Sequence, residues 1–268
     1  MPLTGVAGWP VGHSRSPALH TAAFADLGLE GWSSQLLPIP PELFDETVRA
    51  LPGAGFLGIN VTIPHKLAAF ELADSVSVAA TACRAANTLT FRNGAIEADN
   101  TDVGAIESAA LELSQGASEP TALVLGAGGT ARAALVALTA AGFTDVRIWN
   151  RTSERAKVLA GEFGASEVAD ASSATLLVNT TSVGLIDGVD DPFSQLPLNA
   201  SDLGSFAGVI DLVYRPGGSP IAAEAVMAGI PSVDGLELLV RQGAMSIEVW
   251  TGRRPELEPL RRAVADAS

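Results

Sequence analysis

The chain has 268 residues, 47% hydrophobic and 17% charged, with 16 Lys+Arg against 30 Asp+Glu and a formal net charge of −14. That length and apolar content can build a substantial core in one large or two small domains, and they exclude a disordered, solvating polymer. So acidic a surface repels nucleic acid and anionic lipid, and it makes any local cluster of basic residues informative, because an anionic ligand would need one.

In chain order, the start MPLTGVAGWPVGHS has no basic stretch followed by an apolar one, as a secretory signal would. Short apolar runs then alternate with Ala- and Leu-rich stretches, the pattern of an α/β chain with parallel sheets. Leu3 to Ala7, Ser34 to Ile39 and Phe56 to Val61 read as strands. Pro17 to Leu27 and Pro41 to Leu51 read as helices with proline in the first turn. A strand at Asn87 to Phe91 runs into the turn pair Asn93-Gly94, and a helix at Val103 to Leu113 leads to the polar stretch SQGASEP. That stretch, Ser114 to Pro120, is the expected boundary between an N-terminal domain (1–113) and a second domain (114–236). Beyond it come strand Thr121 to Leu125, helix Thr130 to Ala141, strand Asp145 to Trp149 and helix Ser153 to Phe163, with further strands near Thr175 to Val178 and Gly208 to Leu212. This rhythm predicts a Rossmann-type unit. The segment from Gly235 on is helical, and 237–268 is expected to pack back on the first domain.

The lone cysteine, Cys83, excludes an internal disulfide, points to a reducing compartment and reads as a small buried core residue. No apolar run approaches the roughly 20 residues of a membrane helix, so a soluble, cytoplasmic protein is expected. His13, His20 and His65 show no ligand spacing, so structural roles and no metal are expected. The four tryptophans are expected to serve packing.

Two stretches carry the cofactor argument. ALVLGAGGTARAAL sets Gly126, Gly128 and Gly129 between an apolar strand and a helix. Gly126, Gly128 and Ala131 fit G-x-G-x-x-G/A: a tight turn, close approach of backbone to a pyrophosphate, and a helix held against the strand with its N-terminus toward the phosphates. At the end of the next strand, an NAD site usually carries an acid for the ribose 2′-hydroxyl. Here stand Asn150, Arg151 and Thr152, with Arg155 one turn on. Guanidinium groups suit the 2′-phosphate of NADP, whereas an acid would repel it.

In the first domain, polar clusters interrupt the apolar pattern where strands end: Ser14 and Ser16 in GHSRSP, Asn60, Thr62 and Lys66 in GINVTIPHK, Asn100 and Asp102 in ADNTD. Such groups suit a polyhydroxylated ligand beyond the strand ends. The serines would equally cap a helix, and Asp102 would equally serve as an N-cap or first-turn acid. Lys66 falls in the first turn of a helix begun near Pro64, where the dipole disfavours a cation; that suits its amine to proton transfer.

Taken together, HSRSPALH, NVTIPHK, AANTLTF, DNTDVG, GAGGTARA, NRTSERA, NTTSVGL, DLVYRP and RQGA resemble, in this order and over essentially the whole chain, the shikimate dehydrogenase family. The resemblance implies an NADP-dependent oxidoreductase acting on shikimate and 3-dehydroshikimate. It implies that Ser14, Ser16, Thr62, Asn87, Asp102 and Gln242 bind the substrate's hydroxyls and carboxylate, with Tyr214 nearby, and that Lys66 and Asp102 form the catalytic pair. It assigns Gly126, Ala127, Gly128, Gly129, Thr130, Ala131, Asn150, Arg151, Thr152, Arg155, Thr181, Ser182 and Gly235 to the cofactor. Leu185, Ala85-Ala86 and Ser219 depart from the commonest family pattern without removing a proposed catalytic group. Lysine as true acid or as substrate clamp, quinate or NAD use, a non-catalytic NADP-binding regulator, and a homodimer all stay open at this point.

Overall fold

The structure, a computed structural model, describes residues 1–171, 173–185, 191–215 and 218–267. It divides into two compact units, Met1–Thr101 with Leu239–Ser268, and Asp102–Leu238. The division falls at the start of a helix rather than in the polar stretch 114–120, because the helix Thr101–Leu113 groups with the second unit.

The first unit runs β1 (Leu3–Gly8), α1 (Ser16–Asp26), β2 (Ser33–Pro38), α2 (Phe44–Ala50), β3 (Phe56–Val61), α3 (Lys66–Leu72), β4 (Ser75–Val76), α4 (Val78–Cys83), β5 (Thr88–Arg92) and β6 (Ala95–Asp99). Its sheet has the order β2-β1-β3-β5-β6-β4. β1 pairs parallel with β2 and β3, but β5 pairs antiparallel with β3 and β6, so the sheet is mixed and not parallel throughout. The cause is local. Asn93 and Gly94 both take positive φ (52° and 79°), the two-residue turn whose twist matches a hairpin. The expected single helix over Pro41 to Leu51 is instead α2 flanked by 3-10 turns at Pro41–Leu43 and Leu51–Ala54. Ile39, Phe44, Phe56, Ile59, Leu72, Leu89 and Phe91 anchor the core.

The second unit runs α5 (Thr101–Leu113), β7 (Thr121–Leu125), α6 (Gly129–Ala140), β8 (Asp145–Trp149), α7 (Ser153–Phe163), β9 (Ser166–Glu167), β10 (Leu176–Asn179), β11 (Gly208–Asp211), α8 (Pro220–Met227) and β12 (Ser232–Val233). Its sheet, β12-β11-β10-β7-β8-β9, is parallel throughout. Read from β7 this is the doubly wound order 3-2-1-4-5-6, which reverses direction between β7 and β10. Strands buried on both faces explain the unbroken apolar runs, as in β7 and β10.

The chain ends in α9 (Gly235–Thr251) and α10 (Leu257–Asp266). From Leu239 on, this segment belongs to the first unit. There α10 packs on α1, Arg15 Nη1 donates to the Val264 carbonyl (2.8 Å), and Trp250 Nε1 donates to the Leu89 carbonyl (3.1 Å). Cys83 is buried, and no helix among the described residues is long and apolar enough to cross a membrane.

Candidate active site

In the second unit, the turns after β7, β8 and β10 form one cleft beside the point where the strand order reverses, where α/β sheets bind ligands. Gly126, Ala127, Gly128, Asn150, Arg151, Thr152, Arg155, Thr181 and Ser182 all line it. Gly126 has φ +109°, and a Cβ there would lie 2.6 Å from Thr180 Oγ1, so both backbone and space require glycine. A Cβ on Gly128 would meet nothing within 4 Å, which leaves its backbone open to a ligand. Asn150 Nδ2 donates to the Thr152 carbonyl (3.0 Å), shaping the turn that presents the arginines. Arg151 and Arg155 are exposed, and neither guanidinium has an ion pair among the described residues, whereas Arg92, Arg132 and Arg147 each have one. Two unpaired cations beside exposed amides at a helix N-terminus suit a phosphorylated ligand.

Four expected cofactor residues lie outside the cleft wall. Gly129 and Thr130 form the first turn of α6, Ala131 is buried beneath it, and Gly235 opens α9. A Cβ on Gly235 would stand 2.5 Å from the Val213 carbonyl oxygen, so a packing constraint accounts for that glycine. Conversely, Trp149, Thr180, Val183 and Gln195 line the cleft without having been singled out from sequence. Trp149 packs against the second unit's core as expected of the tryptophans and also faces the cleft; its place just before Asn150 was the available signal.

In the first unit, hydrogen bonds lace the β1 and β3 ends together: Thr62 N donates to Ala7 O (2.8 Å) and Trp9 N to Ile63 O (3.0 Å). Thr62 Cγ2 would sit 2.5 Å from a Cβ on Gly8, so only glycine admits this approach. Ser14 Oγ lies 3.1 Å from Ser16 Oγ and accepts from Ser16 N (3.3 Å). The N-cap of α1 is Arg15, with no side-chain cap, so helix capping does not account for the serine pair. Lys66 is half-buried as the first residue of α3, and its carbonyl accepts from Ala86 N (2.8 Å), tying it to the segment that carries Asn87.

Asn87 is buried, and its orientation is fixed. Its Oδ1 accepts from Thr101 N (2.8 Å) and Thr88 Oγ1 (2.9 Å), and its Nδ2 donates to Thr101 Oγ1 (3.0 Å) and Gln242 Oε1 (3.3 Å). Gln242 Nε2 donates to the Leu239 carbonyl (2.8 Å). The fold therefore joins Asn87 directly with Gln242 and links both to Thr101, a residue not singled out in the sequence. Behind them, Asn60 Nδ2 donates to Ser246 Oγ (2.8 Å) and Asn87 O (3.0 Å), and Asn60 Oδ1 accepts from His20 Nε2 (3.0 Å). Burial holds the His20 pKa down at about 4, against the Asn60 hydrogen bond, so the ring is neutral. His65, stacked on Phe44 and bonded to the Ile39 carbonyl, is likewise lowered by burial. His20 and His65 are thus held by packing and hydrogen bonds, and His13 is exposed. Among the described residues no three His, Cys, Asp or Glu gather as metal ligands.

Asp102 and Tyr214 belong to the second unit. Asp102 is half-buried in the first turn of α5, and Tyr214 is half-buried just after β11; Pro216 of the DLVYRP segment lies outside the described residues.

Three family models match along the chain: "Shikimate dehydrogenase substrate binding domain" over residues 6–89, "Shikimate / quinate 5-dehydrogenase" over 108–183, and "Shikimate 5'-dehydrogenase C-terminal domain" over 235–265. A relative named shikimate dehydrogenase (NADP(+)), from Paracoccus denitrificans, is 44% identical over 98% of this chain and 95% of its own. The chain belongs to the shikimate dehydrogenase family. Among solved structures, the Thermus thermophilus shikimate 5-dehydrogenase in complex with NADP(H) and shikimate superposes with a TM-score of 0.86 at 38% identity, covering 99% of both chains. The 5-ketofructose reductase of a Gluconobacter species matches with a TM-score of 0.85 at 25% identity over 98% of each. The shikimate dehydrogenase scaffold thus also carries an enzyme named for another ketone, and the site residues, not the fold, must decide the substrate.

Proposed function

We propose that the chain is an NADP-dependent shikimate dehydrogenase, reversibly reducing 3-dehydroshikimate to shikimate in the aromatic amino acid pathway. The observation that carries this is the cleft of the second unit, floored by Gly126 and Gly128 and edged by the unpaired Arg151 and Arg155 where an NAD site would carry an acid. The Thermus relative, which binds both NADP(H) and shikimate, supports the same reading. The second unit is then the cofactor domain and the first, with its returning C-terminal helices, the substrate domain.

In the reductive direction, a reduced nicotinamide cofactor held by Gly126, Gly128, Arg151 and Arg155 would supply the hydride for the substrate's carbonyl carbon. Lys66 holds the proton at Nζ that the developing alkoxide takes up, and Asp102 supports the lysine's charge. Ser14, Ser16, Thr62, Asn87, Gln242 and Tyr214 bind the hydroxyls and carboxylate. Asn87 and Gln242 arrive pre-oriented by their fixed hydrogen bonds, so little ordering is left to binding. The enzyme works in the cytoplasm on a small-molecule substrate, without nucleic acid, membrane or metal; gel filtration reads whether it is a homodimer.

The test follows reduced-nicotinamide absorbance while shikimate and quinate are crossed with NADP and NAD. Turnover with shikimate and NADP is expected; turnover favouring quinate or NAD, or NADP binding without turnover, sinks the assignment. Arg151→Ala is expected to raise KM for NADP about tenfold and to leave KM for NAD within twofold, since only the former carries the extra phosphate. An equal rise for both cofactors would remove Arg151 from phosphate recognition.

A further inference from the structure

The last residues of β10 and β11, Asn179 and Asp211, are direct neighbours in the parallel register and are both fully buried. A carboxylate at that depth needs donors, and three converge on it. Asn179 Nδ2 (2.8 Å) and Val213 N (3.1 Å) donate to Asp211 Oδ1, and Ser219 Oγ donates to Oδ2.

The consequence runs outward to the cleft. An amide facing a carboxylate must present its nitrogen to it, so Asn179 Oδ1 points the other way, toward the loop after β10. There it accepts from Thr181 N (3.1 Å) and Thr181 Oγ1 (2.7 Å), and Thr181 Oγ1 in turn accepts from Val183 N (3.1 Å). On the other side, Ser219 caps α8 by accepting from Ala222 N (3.3 Å). The next residue, Pro220, lies 3.2 Å from where a Cβ of Gly184 would stand, in the same loop. Asp211 therefore holds the Thr181–Val183 segment through Asn179 and, through Ser219, the start of α8, whose Pro220 lies beside Gly184; Thr181, Ser182 and Val183 form one wall of the cleft.

We infer that Asp211 is a positioning residue for the cofactor: through Asn179 and Ser219 it sets the Thr181–Gly184 wall against which the nicotinamide dinucleotide is held. This rests on the NADP reading of the cleft. Burial pushes the Asp211 carboxyl up to about 6, opposed by the Ser219, Val213 and Asn179 hydrogen bonds; either protonation state keeps an oxygen facing the Asn179 amide. Asparagine at this position would likewise offer Oδ1 to Asn179 and Nδ2 to Ser219, whereas leucine offers neither.

The test compares the full chain with Asp211→Asn and Asp211→Leu by two readouts. The first is hydrogen exchange at the Thr181 and Val183 amides without cofactor; the second is the Kd for NADP and the KM for each substrate. Asp211→Leu is expected to speed exchange at both amides and to raise Kd and KM for NADP about tenfold, while KM for shikimate moves less than twofold. Asp211→Asn is expected to stay within about threefold of the unsubstituted protein throughout. Unchanged NADP affinity in Asp211→Leu, or an equal rise in both KM values, overturns the inference. If Asp211→Leu does not fold, Thr181→Val cuts the same chain at its outer end. It is expected to speed Val183 exchange and weaken NADP, with Thr181→Ser restoring both; no change at Val183 overturns the inference. If the unsubstituted protein binds no NADP, the cofactor reading falls, and the exchange arm alone decides whether Asp211 holds the loop.

Discussion

Replacing Lys66 by alanine is expected to lower kcat by about 10²- to 10⁴-fold, the range lost when a positioned acid–base group is removed. NADP affinity is expected to stay within twofold, because Lys66 belongs to the first unit and the cofactor cleft to the second. Lys66→Arg separates the two roles open to the side chain. A guanidinium keeps the charge and would serve as a substrate clamp, but it does not give up its proton. If Lys66 transfers the proton, the arginine variant stays as slow as the alanine one while KM for shikimate recovers; if it only clamps, arginine restores kcat as well. Single-turnover absorbance at saturating substrates reads the step directly. A kcat for Lys66→Ala within threefold of the parent would remove the residue from the chemistry. The geometry favours a large effect. Lys66 is the half-buried first residue of α3, and its carbonyl is tied to the Ala86 amide one residue before Asn87, so the proposed proton donor and a proposed ligand for the substrate are fixed to one short stretch of backbone.

The second unit was legible in the sequence because its signals are local. Each β-turn-α passage announces itself within about ten residues, and β7, β8 and α7 fall where the apolar runs and their punctuation put them. The first unit was read less well, for identifiable reasons. β6, Ala95–Asp99, alternates apolar with acidic residues and offers no apolar run to stand out, although Asn93-Gly94 marked its hairpin. The helix expected over Pro41 to Leu51 did not show that its ends would tighten into 3-10 turns. The polar network behind Asn87 was out of reach altogether: Asn60 meets Ser246 across 186 positions and Thr101 meets Ser246 across 145, and no periodicity encodes such pairs. Asp211 and Asn179 stayed hidden for a related reason. They are 32 positions apart, and only the register of β10 on β11 makes them neighbours. The groups proposed to touch ligand were mostly visible as polar interruptions at strand ends, while the groups that hold them needed the fold.

Acid is expected to act on the two units in opposite senses, weakening the first and strengthening the second. His20 is fully buried with its folded pKa lowered from 6.5 to about 4, so on acidification the unfolded chain takes up the proton first. Its contribution is fully present above pH 6.5 and is lost progressively down to about pH 4, a change of ~3 kcal/mol. Nδ1 lies 2.8 Å from Ser34 Oγ, a hydroxyl able to accept as well as donate, so the cost is burial of the cation and not a missing partner. His65, also lowered by burial, adds in the same sense. Asp211 runs the other way. Its pKa is raised from 3.8 to about 6, so the folded form takes up the proton first, and the second unit gains ~3 kcal/mol as pH falls from about 6 to 3.8. For one global transition the two terms nearly cancel, and a whole-chain denaturation curve would conceal both. Hydrogen exchange resolved by peptide, corrected for the intrinsic pH dependence of exchange, separates them. Between pH 6.5 and 4.5, peptides from β1, β3 and α1 are expected to lose protection while those from β10 and β11 keep or gain it. His20→Gln, which retains an amide donor for Asn60, should flatten the first trend and leave the second untouched. An unchanged slope in that variant would mean that the first unit's acid sensitivity arises somewhere other than the His20–Asn60 pair.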